Sequence, residues 1–314
     1  MSSNLLGRLL LTSAALALSA CIGGGDTNFA LTPTPTPPTP TPTPPPPPPP
    51  AQSPAIFPNN TTSTTFAALG LEASSRNIAA SSLVGTGFSA RYDAASNAYI
   101  IGLPTQAPGT FVGDPDGRGP GFWVGNIQGT IFDDVSIATS TPNNQLAYTS
   151  IGEADGYYTS ALSFFAFGSA TPPSGMPVSG SATYIADVFG TTLDSDPSHF
   201  PTKTIGGTAT LQFDFGPGTL EGHFDPVLNV LGPSNSVIAT NLGSYNFVNT
   251  VYGAGKTDFS GQLSISGASS TGAFDGQFTG PAAQELMARW TAPYLIPGSQ
   301  QWSQMFGVWV GKKH

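Results

Sequence analysis

The chain has 314 residues, of which only 9% are charged, and it is rich in glycine (38) and proline (31). Acidic residues outnumber basic ones by 18 to 9, which argues against a nucleic acid partner, because such binding depends on Lys and Arg neutralising phosphates. The single cysteine excludes an intrachain disulfide and a metal site made of several cysteines. Few charges, many glycines and 11% aromatic residues are typical of all-β proteins.

The first residues, 1–20, resemble the signal peptide of a bacterial lipoprotein. Arg8 precedes an apolar stretch, residues 9–18, that is too short to cross a bilayer as a helix, since such a helix needs about 20 residues. Two small residues, Ser19 and Ala20, directly precede Cys21, as expected before a lipidated cysteine. The resemblance implies cleavage before this cysteine and attachment of acyl chains, such as palmitate, to it. The alternative is an N-terminal anchor helix with an incidental cysteine.

Residues 21–57 are predicted to form a lipidated N-terminus and a disordered linker. From Thr32 to Pro50 the chain contains only Thr and Pro. Such a tract adopts polyproline II at about 3.1 Å per residue and would span roughly 60 Å, which indicates a stalk that lifts a domain off the lipid surface. The alternative is that the tract is a PxxP ligand for SH3-type modules. Ile22 stands where an Asp retains enterobacterial lipoproteins at the inner membrane, so the resemblance implies an outer-membrane destination. We expect a lipid-anchored protein of the outer membrane at the cell surface.

Residues 58–177 are predicted to form a smaller β domain. Gly87–Tyr92 and Ala98–Leu103 are short apolar-alternating runs on either side of a turn-forming segment, so they predict a β hairpin. Further strands are predicted at residues 127–137, 146–151 and 157–168. Thr171–Gly175 contains two prolines, a serine and a glycine, and this break in the pattern predicts a boundary between two β units.

Residues 178–314 alternate more regularly and predict a closed barrel. In Leu211–Phe215 the apolar side chains share one face and the polar side chains share the other. The same period of two recurs in residues 220–225, 259–266 and 274–279. About eight strands are predicted in all, at residues 181–189, 206–215, 219–225, 245–252, 257–266, 271–279, 283–290 and 304–311. Eight antiparallel strands close into a barrel whose interior is filled by side chains, and closure removes the exposed edges. Glycines at apolar positions are expected to leave room for neighbouring phenylalanine rings.

The alternation alone is compatible with two kinds of barrel. A transmembrane barrel would turn Phe and Leu toward lipid, whereas a soluble barrel would turn them inward. Several runs are shorter than the about 9–11 residues that a membrane-spanning strand needs, and the strands lack a clear aromatic girdle at both ends. We therefore expect an all-β chain with an eight-stranded antiparallel soluble barrel in which Phe213, Phe274 and Phe278 point inward.

The C-terminal sequence resembles a known barrel family. Residues 272–286 read GAFDGQFTGPAAQEL and match the pattern G-x-F-x-G-x-F-x-G-P, then A-x-E, of transferrin-binding protein B and its relatives. Met305–Trp309 is similar to the family's closing strand, and residues 207–216 are similar to an early one. The resemblance covers the predicted barrel and implies that residues 58–177 form the β handle that precedes the barrel in such lipoproteins.

The resemblance also implies a function. Only one handle-plus-barrel unit is present, whereas transferrin-binding protein B has two lobes, so transferrin itself is not the expected ligand. We expect a cell-surface binding protein, an accessory in iron or haem acquisition, with an iron- or haem-carrying protein and a TonB-dependent receptor as partners. The alternatives are a non-iron binder of a host or environmental protein or nutrient, and a structural envelope lipoprotein without a ligand. Leu286–Trp290 stands where the family has a glycine pair, which bears on partner identity more than on fold.

No catalytic constellation is evident, so neither enzyme activity nor a cofactor is expected. Asp194, Asp196 and His199 lie close together in sequence and could ligate a metal, but a solvated loop between two strands is the favoured interpretation. His223 and His314 are the only other histidines.

Three further motifs have an ordinary structural explanation. Asp114–Gly119 begins like a calcium loop but lacks the distal ligands of an EF-hand, so we expect a plain turn. Gly253–Gly255 lacks the third glycine of a dinucleotide site. The aromatic pairs 157–158 and 164–165 could stack on a flat ligand such as haem, but we expect them in the core or at its rim.

Overall fold

The computed structural model describes residues 62–73, 83–96, 98–112, 122–126, 133–138, 141–156, 161–194, 202–232 and 236–314. Within these residues, two antiparallel β-sheets account for nearly all regular structure, and a single 3-10 turn at Pro173–Gly175 lies between them in sequence. Predicted segments that include residues 113–121, 127–132, 157–160 and 195–201 lie wholly or partly outside the described residues.

The first sheet, which we call the handle, is built from nine strands: β1 (Thr64–Ala73), β2 (Leu83–Val84), β3 (Ser89–Asp93), β4 (Ala98–Leu103), β5 (Gln106–Val112), β6 (Phe122–Asn126), β7 (Asp133–Ala138), β8 (Thr149–Gly156) and β9 (Leu162–Gly168). Their order is β5-β4-β3-β1-β9-β8-β7-β6, and β2 pairs with β1. The predicted hairpin is present as β3 and β4, with Tyr92 opposite Tyr99.

The second sheet is built from β10 (Ser181–Thr192), β11 (Lys203–Asp214), β12 (Thr219–Leu231), β13 (Val237–Asn241), β14 (Tyr245–Val251), β15 (Asp258–Ser264), β16 (Gly272–Thr279), β17 (Glu285–Leu295) and β18 (Trp302–Lys313). Eight of these strands close into a ring, because β18 pairs with β10 and β11 pairs with β12. The predicted eight-stranded antiparallel barrel is confirmed. The ninth strand, β13, pairs alongside the end of β12 and was not predicted.

Aromatic rings fill the barrel interior. Phe213, Phe274 and Phe278 are each at most 2% exposed and belong to one buried cluster with residues from all eight strands of the ring. The inward direction predicted for them is confirmed. Glycines make room for the rings: a Cβ at Gly261 would lie 2.5 Å from the ring of Phe274, and one at Gly276 would lie 2.6 Å from that of Phe259. A side chain at either position would collide with the core.

The handle packs against the outer face of the barrel. Barrel strands β17 and β18 carry apolar residues on both faces, and those facing outward, Met287, Val308 and Val310, are fully buried. They form a separate cluster with handle residues such as Leu71 and Phe164. Apolar area removed from water here stabilises the docking of the two sheets at roughly 25 cal/mol per Å².

Hydrogen bonds fix the position of the handle along the barrel. The carboxylate of Glu285, which is 1% exposed, accepts hydrogen bonds from the backbone N–H groups of Ala147 (2.7 Å) and Tyr148 (3.0 Å). Burial raises the pKa of Glu285, and these two hydrogen bonds oppose the rise. Beside them, the hydroxyls of Thr149 and Thr279 lie 2.6 Å apart. A buried carboxylate is tolerated here because its oxygens are satisfied by donors that the handle presents.

Candidate functional site

Exposed apolar side chains gather at one end of the barrel. This end, which we call the distal end, is where β12 and β17 finish and where β13 and β18 begin. Among the described residues, seven large apolar side chains are exposed, and five of them lie here. We call them the apolar patch: Leu231, Val237, Ile238, Leu295 and Trp302. The other two, Val178 and Val251, lie near the opposite end, before β10 and at the end of β14.

A cleft of about 570 Å³ opens beside part of this patch. Three chain segments line it, from the end of β13, from the β15–β16 turn and from the β17–β18 loop. Leu242, Ile265, Leu295 and Trp302 give it apolar walls. Trp302 is 38% exposed, so a large part of its ring remains available for contact. Exposed aromatic residues beside an apolar cleft are typical of surfaces that bind another protein.

Strand β13 adds an edge to the same end. Among the described residues it pairs only with β12, where Leu231 lies opposite Val237 and Val230 opposite Ile238. Its first three residues, 237–239, are all exposed. A short strand with one free side can accept an extended segment of a partner by backbone hydrogen bonding.

Of the predicted Asp/His cluster only Asp194 lies within the described residues, and it follows β10 next to the distal end. Its carboxylate pairs with the Lys203 ammonium at 2.6 Å and accepts a hydrogen bond from the Tyr294 hydroxyl. Burial tends to raise the pKa of Asp194, but the Lys203 and Tyr294 hydrogen bonds outweigh it and hold the pKa below its usual value. Asp194 is therefore committed to a structural ion pair. Asp196 and His199 lie outside the described residues.

Most other candidates from the sequence have structural roles where they are described. His223 lies 3.3 Å from Asp225 on the barrel surface, and His314 is exposed. Phe165 packs in the handle core and Phe164 against the barrel, as expected for core residues. Gly253–Gly255 lies in the turn between β14 and β15.

Other positions singled out in the sequence fall outside the described residues. They are Cys21, 114–119 and 157–158. Within the described part of the chain, no group of three or more His, Cys, Asp or Glu side chains could hold a metal ion. No helix in that part has the length and apolar character needed to cross a membrane.

Comparisons with known proteins find similarity at the level of solved structures. No protein-family model and no curated protein matches the chain. A variant of transferrin binding protein B from Haemophilus parasuis Hp5 is 16% identical, with a TM-score of 0.41, over 80% of this chain and 45% of that one. Transferrin binding protein B from serogroup B Neisseria meningitidis is 14% identical, with a TM-score of 0.43, over 80% and 44%. A surface lipoprotein is 14% identical, with a TM-score of 0.36, over 82% and 100%.

The chain resembles transferrin binding protein B. This confirms the resemblance predicted from the C-terminal motif. The chain spans less than half the length of the two transferrin binding proteins that it matches, 45% and 44%. Identities and TM-scores this low describe a similar arrangement of strands and say nothing about a ligand. The candidate binding site is therefore inferred only from the exposed side chains and the cleft at the distal end.

The apolar patch was not predicted from the sequence. Val237 and Ile238 follow the turn-forming segment 232–236, and no alternation marks them as a strand. Trp302 follows a polar loop and is the first residue of β18, whose predicted start, residue 304, lies two residues later. A large apolar residue at the tip of a predicted hairpin, outside the alternating pattern, is the signal that could have indicated exposure.

Proposed function

We propose that this chain is a surface lipoprotein that binds another protein through the apolar patch at the distal end of its barrel. The observation that carries the proposal is that five of the seven large apolar side chains exposed in the described part of the chain lie at that end. Leu231, Leu295 and Trp302 are terminal residues of their strands, and β13 lies outside the ring, so the patch can contact a partner without disturbing the barrel core. The exposed edge of β13 would let an extended segment of the partner add to the sheet.

We further propose that the partner is an iron- or haem-carrying protein, and that a TonB-dependent receptor works with the chain. The C-terminal motif supports this identification by its resemblance to transferrin-binding protein B. A partner without iron would use the same patch, so the two possibilities differ in how expression and binding respond to iron supply.

Photo-crosslinking tests both the surface and the partner. A benzoylphenylalanine placed at Ile238, in cells grown under iron limitation, is expected to give one discrete adduct, to be identified by mass spectrometry. The matched control is the same crosslinker at Val251, which is 65% exposed but lies at the opposite end. The purified partner is then titrated against the full chain, and Ile238→Asp is expected to weaken binding by tenfold or more, with Val251→Asp unchanged.

Three outcomes would count against these proposals. Equal adducts from both positions would mean that the distal end is not the binding surface. No adduct at either position would favour a structural role. An adduct protein that carries neither iron nor haem would overturn the iron proposal and leave the binding surface intact.

We propose that Cys21 carries the lipid anchor and places the protein at the outer membrane. Cys21→Ala is expected to move the protein from the membrane fraction to the soluble fraction, because the apolar stretch before it is too short to span a bilayer. Cys21→Ser serves as a second variant, and immunoblotting of fractionated cells is the measurement. Retention of both variants in membranes would show that another anchor exists.

A further inference from the structure

A second cavity lies between the handle and the barrel. It has a volume of about 420 Å³, within the range of small-molecule sites. Glu153 and Phe164 line it from the handle, and Asp187 and Phe189 line it from β10. Gly206 and Gly207 of β11 form part of its surface without side chains. This cavity is separate from the cleft at the distal end, because the two share no lining residue.

The strand pattern turns Glu153 toward the barrel. On β8, Ile151 belongs to the cluster between handle and barrel, whereas Ala154 belongs to the handle's own core. Glu153 is two residues from Ile151 and therefore shares its face. Its cross-strand neighbour on β9 is Phe164, which also faces the barrel. A carboxylate is thus placed on the handle face that packs against the barrel, and it lines the cavity.

The two carboxylates of the cavity differ in their surroundings. Asp187 is 2% exposed, and its carboxylate accepts four hydrogen bonds. The donors are the backbone N–H of Asn143 (3.1 Å), the side-chain amide of Asn144 (2.8 Å), and the side chains of Thr141 and Asn143. Glu153 has no hydrogen-bond or ionic partner among the described residues, and burial raises its pKa to about 7. Only Glu153 is left to meet a ligand.

Among the described residues, the remaining lining supplies no positive charge. Apart from Glu153 and Asp187, the residues from β9, β10, β11, β12 and the 142–143 segment are uncharged, and none of them is Lys, Arg or His. Glu153 is partly buried, and a partly buried carboxylate without a counter-ion is destabilised, so a cation that enters the cavity gains a charge-assisted hydrogen bond and offsets part of that cost.

We propose that this cavity binds a small organic cation, an amidinium, guanidinium or ammonium group on an apolar body, with Glu153 as its counter-ion. The rings of Phe164 and Phe189 would contact the apolar body. An anion is excluded by the two carboxylates. A hard metal ion is disfavoured because Ca²⁺ and Mg²⁺ need about six oxygen ligands, and the Asp187 oxygens are already occupied by four hydrogen bonds.

Titration of the full-length protein with benzamidine tests the proposal, and benzamide is the control because it has nearly the same shape without the charge. At pH 8 we expect benzamidine to shift the NMR signals of residues around Glu153 and Val188 in a saturable way, and benzamide to leave them unchanged. Glu153→Gln should abolish the response. Glu221→Gln, at an exposed position of β12, should retain it.

The pH dependence provides an independent measurement. Because Glu153 must be ionised and its pKa is about 7, benzamidine affinity should fall about tenfold from pH 8 to pH 6. Asp187 is the other titratable group that lines the cavity among the residues that the structure describes. Equal shifts with benzamide, no saturable shifts, or full binding by a correctly folded Glu153→Gln protein would each overturn the proposal. None of these results depends on the protein partner proposed above.

Discussion

Phe278→Ala is expected to lower the free energy of unfolding by about 4 kcal/mol, because it removes a ring from the centre of the barrel. The side chain is 0% exposed. Its ring centroid lies 4.7 Å from that of Phe213, 5.4 Å from that of Phe259 and 5.6 Å from that of Tyr184. These neighbours belong to strands fixed by pairing on both sides, so they cannot close the cavity left by the ring.

Urea denaturation followed by tryptophan fluorescence measures this loss. Two controls bracket it: Phe278→Leu keeps most of the volume and should cost about 1 kcal/mol, and Ile238→Ala, at the exposed patch, should cost less than about 0.5 kcal/mol. If Phe278→Ala were as mild as Ile238→Ala, the interior would not be the close-packed core described here.

Asp187→Ala should have the next largest effect, about 3 kcal/mol, because it leaves several donors without an acceptor. The carboxylate joins barrel strand β10 to the segment Thr141–Asn144 of the handle, and this segment has few other anchors to the barrel. Its loss removes the acceptor of the Asn143 backbone N–H and one of the two acceptors of the Asn144 side-chain amide. The Asn144 amide keeps only its hydrogen bond to the Ile185 carbonyl, so the segment is held less firmly on the barrel.

Amide hydrogen exchange separates this local effect from a general loss of stability. In Asp187→Ala, protection at Asn143 should fall more than protection in the barrel core at Phe278. Asp258→Ala, an exposed carboxylate at the start of β15, is the matched control and should change neither. Equal loss of protection at both sites would contradict a specific tether.

Most of the barrel could be predicted because its strands have one apolar face. In β16 the alternation of Phe274, Gly276 and Phe278 with polar residues identifies the strand and its inward face. The pattern weakens in β17 and β18, where both faces are buried, one by the core and one by the handle. The long apolar runs still predict strands there. The sequence does not indicate that their second face is buried, because that burial depends on the handle packing against it.

The candidate sites could not be predicted, for different physical reasons. β13 lies outside the barrel ring and buries almost nothing, so no alternation marks it. Glu153 looks like an ordinary polar residue of a strand, and its importance depends on the sheet that packs opposite it. The domain boundary near residue 177 and lipidation of Cys21 remain predictions from sequence.

The pairing of β18 with β10 has a consequence for how the molecule is made. These strands lie more than a hundred residues apart, and Gly190 meets Gly307 and Ala186 meets Gly311 only when β18 is present. Until β18 has been synthesised, β10 has one unpaired edge. The barrel can close only when this last strand pairs, so the chain is most prone to self-association just before that step.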